Sequence, residues 1–294
     1  MFLDLQTDII LFLQEWSNPF TDAFFNAVSF LGEPEFYILL LGFIYWVYNK
    51  RLGEFLALTL GVSISLNNAL KEVFMIERPF QAYAEVENMR EATATGSAFP
   101  SGHAQGSSTV FFGIARFYDR MGLYFGAAIL AVLMALSRMF LGVHYLQDVL
   151  GGTLVGIVLA FAIYAVYQRL ADHPERLHWF YLVVIIVLFP GIFLIEGNDF
   201  FRGYGILVGF ALAVAIEKRH VRFTLGIPWF KKILRYALGI VFMLLIMVGL
   251  GELFERFGFD DGSLGANLLD FVRFFAVAFG GFGLYPPFFK RFRF

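Results

Sequence analysis

The chain has 294 residues, 59% of them hydrophobic and 16% charged, with 39 phenylalanines and a mean hydropathy of +0.70. A soluble domain carries about 25% charged residues, so the composition excludes an ordinary soluble globule and describes an all-α, polytopic membrane helical bundle. There is no cysteine and the formal net charge is −2, which excludes disulfides, thiolate metal sites and a basic nucleic-acid surface.

Residues 4–16 set apolar and acidic positions at helical spacing before Asn18-Pro19 breaks the run. They read as a helix lying in the membrane surface, within an N-terminal region 1–33. The first residues lack a basic stretch and a small-residue cleavage site, so no cleaved signal peptide is expected. About nine membrane spans are predicted, at 34–48, 54–73, 104–118, 123–141, 147–170, 178–194, 203–216, 233–250 and 268–284. The first five make a core over 34–170. The other four make an extension over 171–294, which ends in a basic, aromatic tail at 288–294 suited to the membrane interface.

Between the second and third spans, residues 80–99 form a polar loop with Glu85, Glu87, Arg90 and Glu91. A loop of that length is expected to act as a lid or substrate-access element. His173, His178 and His220 are expected on solvated loops, and Asp199, Arg202 and Glu196 at an ion-paired turn. Gly151, Gly152 and Gly156 are expected where helices approach closely.

Nine spans place successive loops on alternate sides. The loops after spans one, three, five and seven, together with the C-terminus, hold 15 of the 22 Lys and Arg residues. Basic residues accumulate in the cytoplasm, so that side is expected to be cytoplasmic. Three blocks then face outward: Lys71 and Arg78-Pro79; Pro100-Ser101-Gly102-His103; and Ser137-Arg138 with His144 and Asp148.

Ionisable groups near a membrane are costly and point to function. Lys71, Arg78 and Arg138 supply fixed positive charge for phosphate oxygens, the arginines with paired donors. Pro100 and Ser101 suit a helix start, Gly102 lets the backbone approach an anion, and the amides there point at it. His144 and Asp148 stand four residues apart, on one helical face. A carboxylate beside one ring nitrogen fixes the tautomer and leaves the other free to attack. His103, on another helix, is then the acid for the leaving oxygen. No metal or other cofactor is required.

These blocks resemble the signature of the type 2 phosphatidic acid phosphatase (PAP2) superfamily, which also includes glucose-6-phosphatase and the vanadium haloperoxidases. The likeness covers roughly residues 36–170. It implies a helical core with phosphate bound by Lys71, Arg78, Ser101, Gly102 and Arg138. It also implies His103 as acid, His144 as phosphohistidine nucleophile and Asp148 as its partner. A weaker likeness, through Gly32-Glu33-Pro34-Glu35-Phe36-Tyr37 and Asn67-Asn68, is to the longer sphingoid-base-phosphate phosphatases.

The expected activity is hydrolysis of a lipid phosphate at the outer face of a membrane, with a bacterial plasma membrane the first choice. Candidate substrates are polyprenyl diphosphate, phosphatidate, phosphatidylglycerol phosphate and sphingoid-base phosphate, the first preferred if the chain is bacterial. A phosphotransferase using the same histidine, a sugar-phosphate phosphatase, and a lipid transporter retaining the anion site are the alternatives. The expected partners are the lipid substrate and the bilayer; a homo-oligomer is left open.

Overall fold

A computed structural model describes residues 2–90, 96–195 and 197–291. Every regular element among these residues is helical. In chain order they are α1 (Phe2–Gln14), α2 (Pro19–Phe30), α3 (Pro34–Phe43), α4 (Lys50–Phe74), α5 (Pro79–Ala82), α6 (Gly102–Tyr118) and α7 (Met121–Phe140). There follow α8 (Leu146–Leu170), α9 (Pro174–Leu188), α10 (Gly191–Leu194), α11 (Asn198–Ile216), α12 (Trp229–Glu255), α13 (Leu264–Phe279) and α14 (Pro287–Arg291). Helices α3, α11 and α13 each end in a π-helical turn, at Ile44–Tyr48, Glu217–Val221 and Gly280–Leu284. Glu91, Glu196 and the end of the tail, 292–294, lie outside the described residues.

Six helical stretches are long and apolar enough to cross a membrane: Met121–Phe140, Leu146–Leu170, Pro174–Leu194, Asn198–Val221, Trp229–Glu255 and Leu264–Phe289. A seventh is reached if α2 and the α3 stretch, Pro19–Phe30 and Pro34–Tyr48, form one span bent by 56°. The expected spans at 54–73 and 104–118 fall on α4 and α6, which are not in that set. Helix α6 is short, with 17 residues, and both helices carry polar residues. Helix α4 buries Glu54, Thr59, Ser63, Ser65, Asn67 and Asn68; α6 buries Gln105, Ser107, Ser108 and Thr109. Several of these hydroxyls return to their own helix, such as Thr59 to the Phe55 carbonyl at 2.7 Å and Thr109 to that of Gln105 at 2.8 Å. A helix walled in by protein can carry such residues without meeting lipid.

The chain divides into two compact units, the first Met1–Tyr37 with Asn67–Ala162 and the second Ile38–Leu66 with Ile163–Phe294. In the first, α6 packs on α7, and α1 and α2 pack on α7 as well. Asn18 caps α2 with a reciprocal side-chain pair to Thr21, which turns the chain back after α1. Ile10 of α1 is fully buried with Val86, Ala104, Met134, Met139, Tyr145 and Val149. Gln6 of α1 accepts from the Gln147 amide at 2.8 Å. Those contacts bring the N-terminal helices to the ends of α7 and α8.

In the second unit α11 lies against α13, and Gly205 sets the closeness: a Cβ there would stand 2.5 Å from the Phe271 carbonyl oxygen. Two buried carboxylates, Glu54 and Glu217, pair with Lys218 and Lys50. Arg202 bonds both Asp199, at 3.1 Å, and Asp270, at 2.8 Å. His173 and His220 are exposed. His178 is not on a solvated loop: it lies within α9, half-buried, with its Nε2 enclosed and without a hydrogen-bond partner. The helix begins at Pro174, four residues earlier than the expected span.

Candidate active site

All eight residues expected to make the site lie in the first unit. The Pro100–His103 block forms the start of α6. Ser101 is its N-cap, fully buried, its hydroxyl accepting from the Ala104 amide at 3.4 Å. The amides of Gly102 and His103, in the first turn, have no intrahelical acceptor. Three hydrogen bonds brace this turn. Asn67 donates to the Pro100 carbonyl at 3.2 Å and to Gln105 at 2.9 Å, and the Ser101 amide donates to the Asp148 carbonyl at 3.0 Å. Gly152 of α8 allows the last contact, since a Cβ there would lie 2.4 Å from the Ser101 oxygen.

Helix α7 ends after Arg138, and a short turn delivers His144 to the start of α8. Gly142 makes that turn with φ +74°, and a Cβ would fall 2.1 Å from the Glu87 carbonyl oxygen. Only glycine is tolerated in such a place. His144 is 2% exposed and Asp148 fully buried. The His144 Nε2 lies 3.3 Å from Arg78 Nη1. A guanidinium only donates, so Nε2 is the acceptor and the ring proton belongs on Nδ1. That atom stands 3.5 Å from Asp148 Oδ2, which accepts from the Tyr145 amide at 2.8 Å. Nδ1 and the second Asp148 oxygen, Oδ1, have no hydrogen-bond partner. Contacts of this length commonly tighten when substrate binds.

Burial holds the His144 imidazole well below its usual pKa range, with Arg78 next in effect, followed by Arg138, Lys71 and His103. The ring is therefore neutral, and its Nε2 lone pair points toward the cations. Arg78 is itself fixed by bonds to the Val143 carbonyl at 2.9 Å and the Gly96 carbonyl at 3.0 Å. Arg138 is fully buried; its Nη1 donates to Ser29 Oγ at 2.5 Å, while Nε and Nη2 have no partner. His103 Nε2 is also buried and unpartnered. Lys71, in the last turn of α4, is half-buried.

One five-residue stretch supports the site from outside the three blocks. At the end of α2 Ser29 meets Arg138, and three residues later Gly32 lies flush on His103: a Cβ at Gly32 would be 2.8 Å from the ring. Glu33 follows and takes both Nε, at 3.1 Å, and Nη2 of Arg90; Arg90 Nη1 bonds Asn26. Gly32, Glu33 and Asn67 drew notice in the sequence only as a likeness, with no role attached. The polar pair Asn67-Asn68 within an apolar helix was the signal for the first contact; nothing local signals Ser29 or Asn26.

The arrangement gathers three cations, two histidines and a carboxylate in one unit. The family model of the PAP2 superfamily matches residues 54–172, and that of the PAP2 superfamily phosphatase transmembrane extension matches residues 201–294. Phosphatidylglycerophosphatase B of Bacillus subtilis is 30% identical over 167 residues, which are 52% of this chain and 77% of that protein. A dihydrosphingosine 1-phosphate phosphatase of Saccharomyces cerevisiae is 26% identical over 195 residues, 63% of this chain. The match spans about half of the yeast protein, 48%. The crystal structure of a transmembrane PAP2-type phosphatidylglycerolphosphate phosphatase from Bacillus subtilis is similar with a TM-score of 0.49 and 25% identity, covering 57% of this chain and 86% of that one. With its three blocks gathered in one unit and both models matched, this chain belongs to the PAP2 superfamily of membrane phosphatases.

Proposed function

We propose that this protein hydrolyses a lipid phosphate through a phosphohistidine on His144, with no metal taking part. The observation that carries the reading is the His144 ring: neutral, with Nδ1 toward Asp148 and Nε2 toward Arg78. Phosphate oxygens would occupy the space between Arg78, Arg138, Lys71 and the amides of Gly102 and His103, with the Ser101 hydroxyl beside them. Arg138 has two buried nitrogens without a partner, which supports a place for it there. Such preorganised donors stabilise the charge that spreads over the equatorial oxygens during transfer.

In the first step Nε2 of His144 forms a bond to phosphorus, the phosphorus–oxygen ester bond breaks, and His103 gives its proton to the departing alkoxide. The proton on Nδ1 stays there, and Asp148 stabilises the cationic ring. In the second step His103 takes a proton from water, the oxygen of that water bonds phosphorus, and the phosphorus–nitrogen bond breaks. Phosphate leaves, and both histidines regain their starting states. The names of the relatives support a phosphorylated lipid as substrate.

Nine crossings follow if α4 and α6 also span, their buried polar faces accounting for low hydropathy. The basic residues then place the site outside and the C-terminus in the cytoplasm. Substrate would come sideways from the outer leaflet. Replacing His144 with Ala in purified protein is expected to abolish phosphate release, vanadate to inhibit, and EDTA to leave turnover unchanged. Undiminished turnover by the His144→Ala protein sinks the phosphohistidine reading.

A further inference from the structure

The leaving group in this reaction departs past His103, so the residues around that ring choose what is attached to the phosphate. Gly32 forms one wall, close enough that any side chain would strike the imidazole. The next residue along is Glu33, whose α-carbon is about 3.8 Å from that of Gly32. Its side chain is 10% exposed and its carboxylate is held by Arg90. Arg90 also acts electrostatically on His103 and Arg138. This side of the site therefore carries one carboxylate and one guanidinium, and their charges cancel.

Each nitrogen of the arginine also has a partner. Its Nε and Nη2 go to Glu33 and its Nη1 to Asn26. That is unlike Arg138, which keeps two nitrogens free. Lys71, Arg78 and Arg138 can neutralise one phosphate. A second phosphate on the leaving group would need its own cation, and Arg90 could serve only by giving up Glu33. The displaced carboxylate would then stand beside a diphosphate with no counterion. Like charges placed that way cost several kcal/mol, and specificity is often built from such a penalty.

We infer that Glu33 and Arg90 form a specificity-determining pair that admits phosphate monoesters with uncharged or zwitterionic leaving groups and rejects diphosphates. The inference rests on the reading of His103 as the leaving-group acid. It runs against the preference for polyprenyl diphosphate that was expected if the chain is bacterial. Neither residue is given a part in bond making.

The test compares farnesyl phosphate with farnesyl diphosphate, which share one tail, on the purified full-length protein in detergent. The wild-type protein is expected to favour the monophosphate by roughly 10-fold or more in kcat/KM. Glu33→Gln, which frees Arg90, is expected to shift the ratio toward the diphosphate by about 10-fold. Arg90→Gln, which leaves Glu33 unmatched, is expected to shift it the other way. A pair that only braced the loop would lower both substrates alike and leave the ratio fixed; that result overturns the inference. So does a wild-type preference for the diphosphate, a measurement that needs no variant to fold. Failure here leaves the His144 chemistry standing, because His144→Ala tests that separately.

Discussion

In the second unit each buried carboxylate meets a lysine. Glu54 bonds Lys218 at 2.8 Å and the Tyr167 hydroxyl at 3.0 Å; Glu217 bonds Lys50 at 2.5 Å and the Phe223 amide at 3.0 Å. Arg235, also buried, bonds the Trp46 and Thr224 carbonyls through Nη1 and lies near the rings of Phe223 and Phe289, with Nε unpartnered. The first unit also pairs Glu33 with Arg90, but within the three blocks it leaves polar atoms over. Arg138 keeps two free nitrogens, and His103, His144 and Asp148 each keep one free atom. Buried polar atoms are nearly always satisfied, and each exception calls for a reason. Paired charge in the second unit holds helices together; the unmatched Arg138 in the first is stability forgone, as the proposed anion site requires.

That contrast is most exposed to Arg138→Met, which removes the unmatched charge while keeping much of the volume. Its kcat/KM should fall by about 1,000-fold, as when a preorganised donor to a transition-state anion is lost. Its thermal midpoint in detergent should hold or rise, since an uncompensated buried charge has gone. Glu217→Gln should behave in the opposite way. Breaking a fully buried ion pair costs about 3–5 kcal/mol, and roughly 2 is expected here because Lys50 is 23% exposed. Its turnover per folded molecule should be unchanged. A lowered midpoint for Arg138→Met, or a dead Glu217→Gln enzyme, would erase the distinction.

Close helix packing offers the next comparison. A Cβ at Gly152 would lie 2.4 Å from the Ser101 carbonyl oxygen, and one at Gly205 would lie 2.5 Å from that of Phe271. Both obstacles are backbone, so both Ala variants must push helices apart by about 1 Å. In the first unit that shift moves the turn carrying Ser101, Gly102 and His103, and a displacement of this size can cost about 100-fold in kcat. In the second unit it should lower only the thermal midpoint. Steady-state kinetics beside melting curves for Gly152→Ala and Gly205→Ala separate the two effects.

Much of this was readable from the chain. The three blocks are local in sequence, so spacing alone brings Ser101 to His103, or His144 to Asp148, and the helix start or helix face does the rest. Long apolar runs likewise announced six of the nine stretches, and a seventh if α2 and the α3 stretch form one span. Helices α4 and α6 were expected as spans despite their polar residues, and those residues turned out to be buried ones that bond helix backbone or each other. What stayed hidden was the support for the blocks. Ser29 is 109 residues from Arg138, and Glu33 is 57 from Arg90. A serine at a helix end and a glutamate before a proline have many ordinary uses, and only tertiary packing selects this one. The unequal pairing of buried charge is equally invisible, because it depends on which atoms are satisfied rather than on which residues are present.

Ser29 is the finest probe of that inequality, since it supplies the one side-chain acceptor Arg138 has among the described residues. Its hydroxyl holds Nη1 of the guanidinium and leaves Nε and Nη2 without a partner, the two atoms proposed to meet the anion. Ser29→Ala leaves the cation in place and removes only its aim, so the loss should be modest: about 10-fold in kcat/KM, the low end of what one hydrogen bond to a charged group is worth. Because the guanidinium can still reach a bound phosphate, the change should fall on kcat more than on KM. Ser29→Thr retains the hydroxyl and should restore most of the rate. If Ser29→Ala matched the loss in Arg138→Met, the bond would be essential to placing the cation at all. If it had no effect, Arg138 would be held by packing alone, and the end of α2 would have no part in orienting the site.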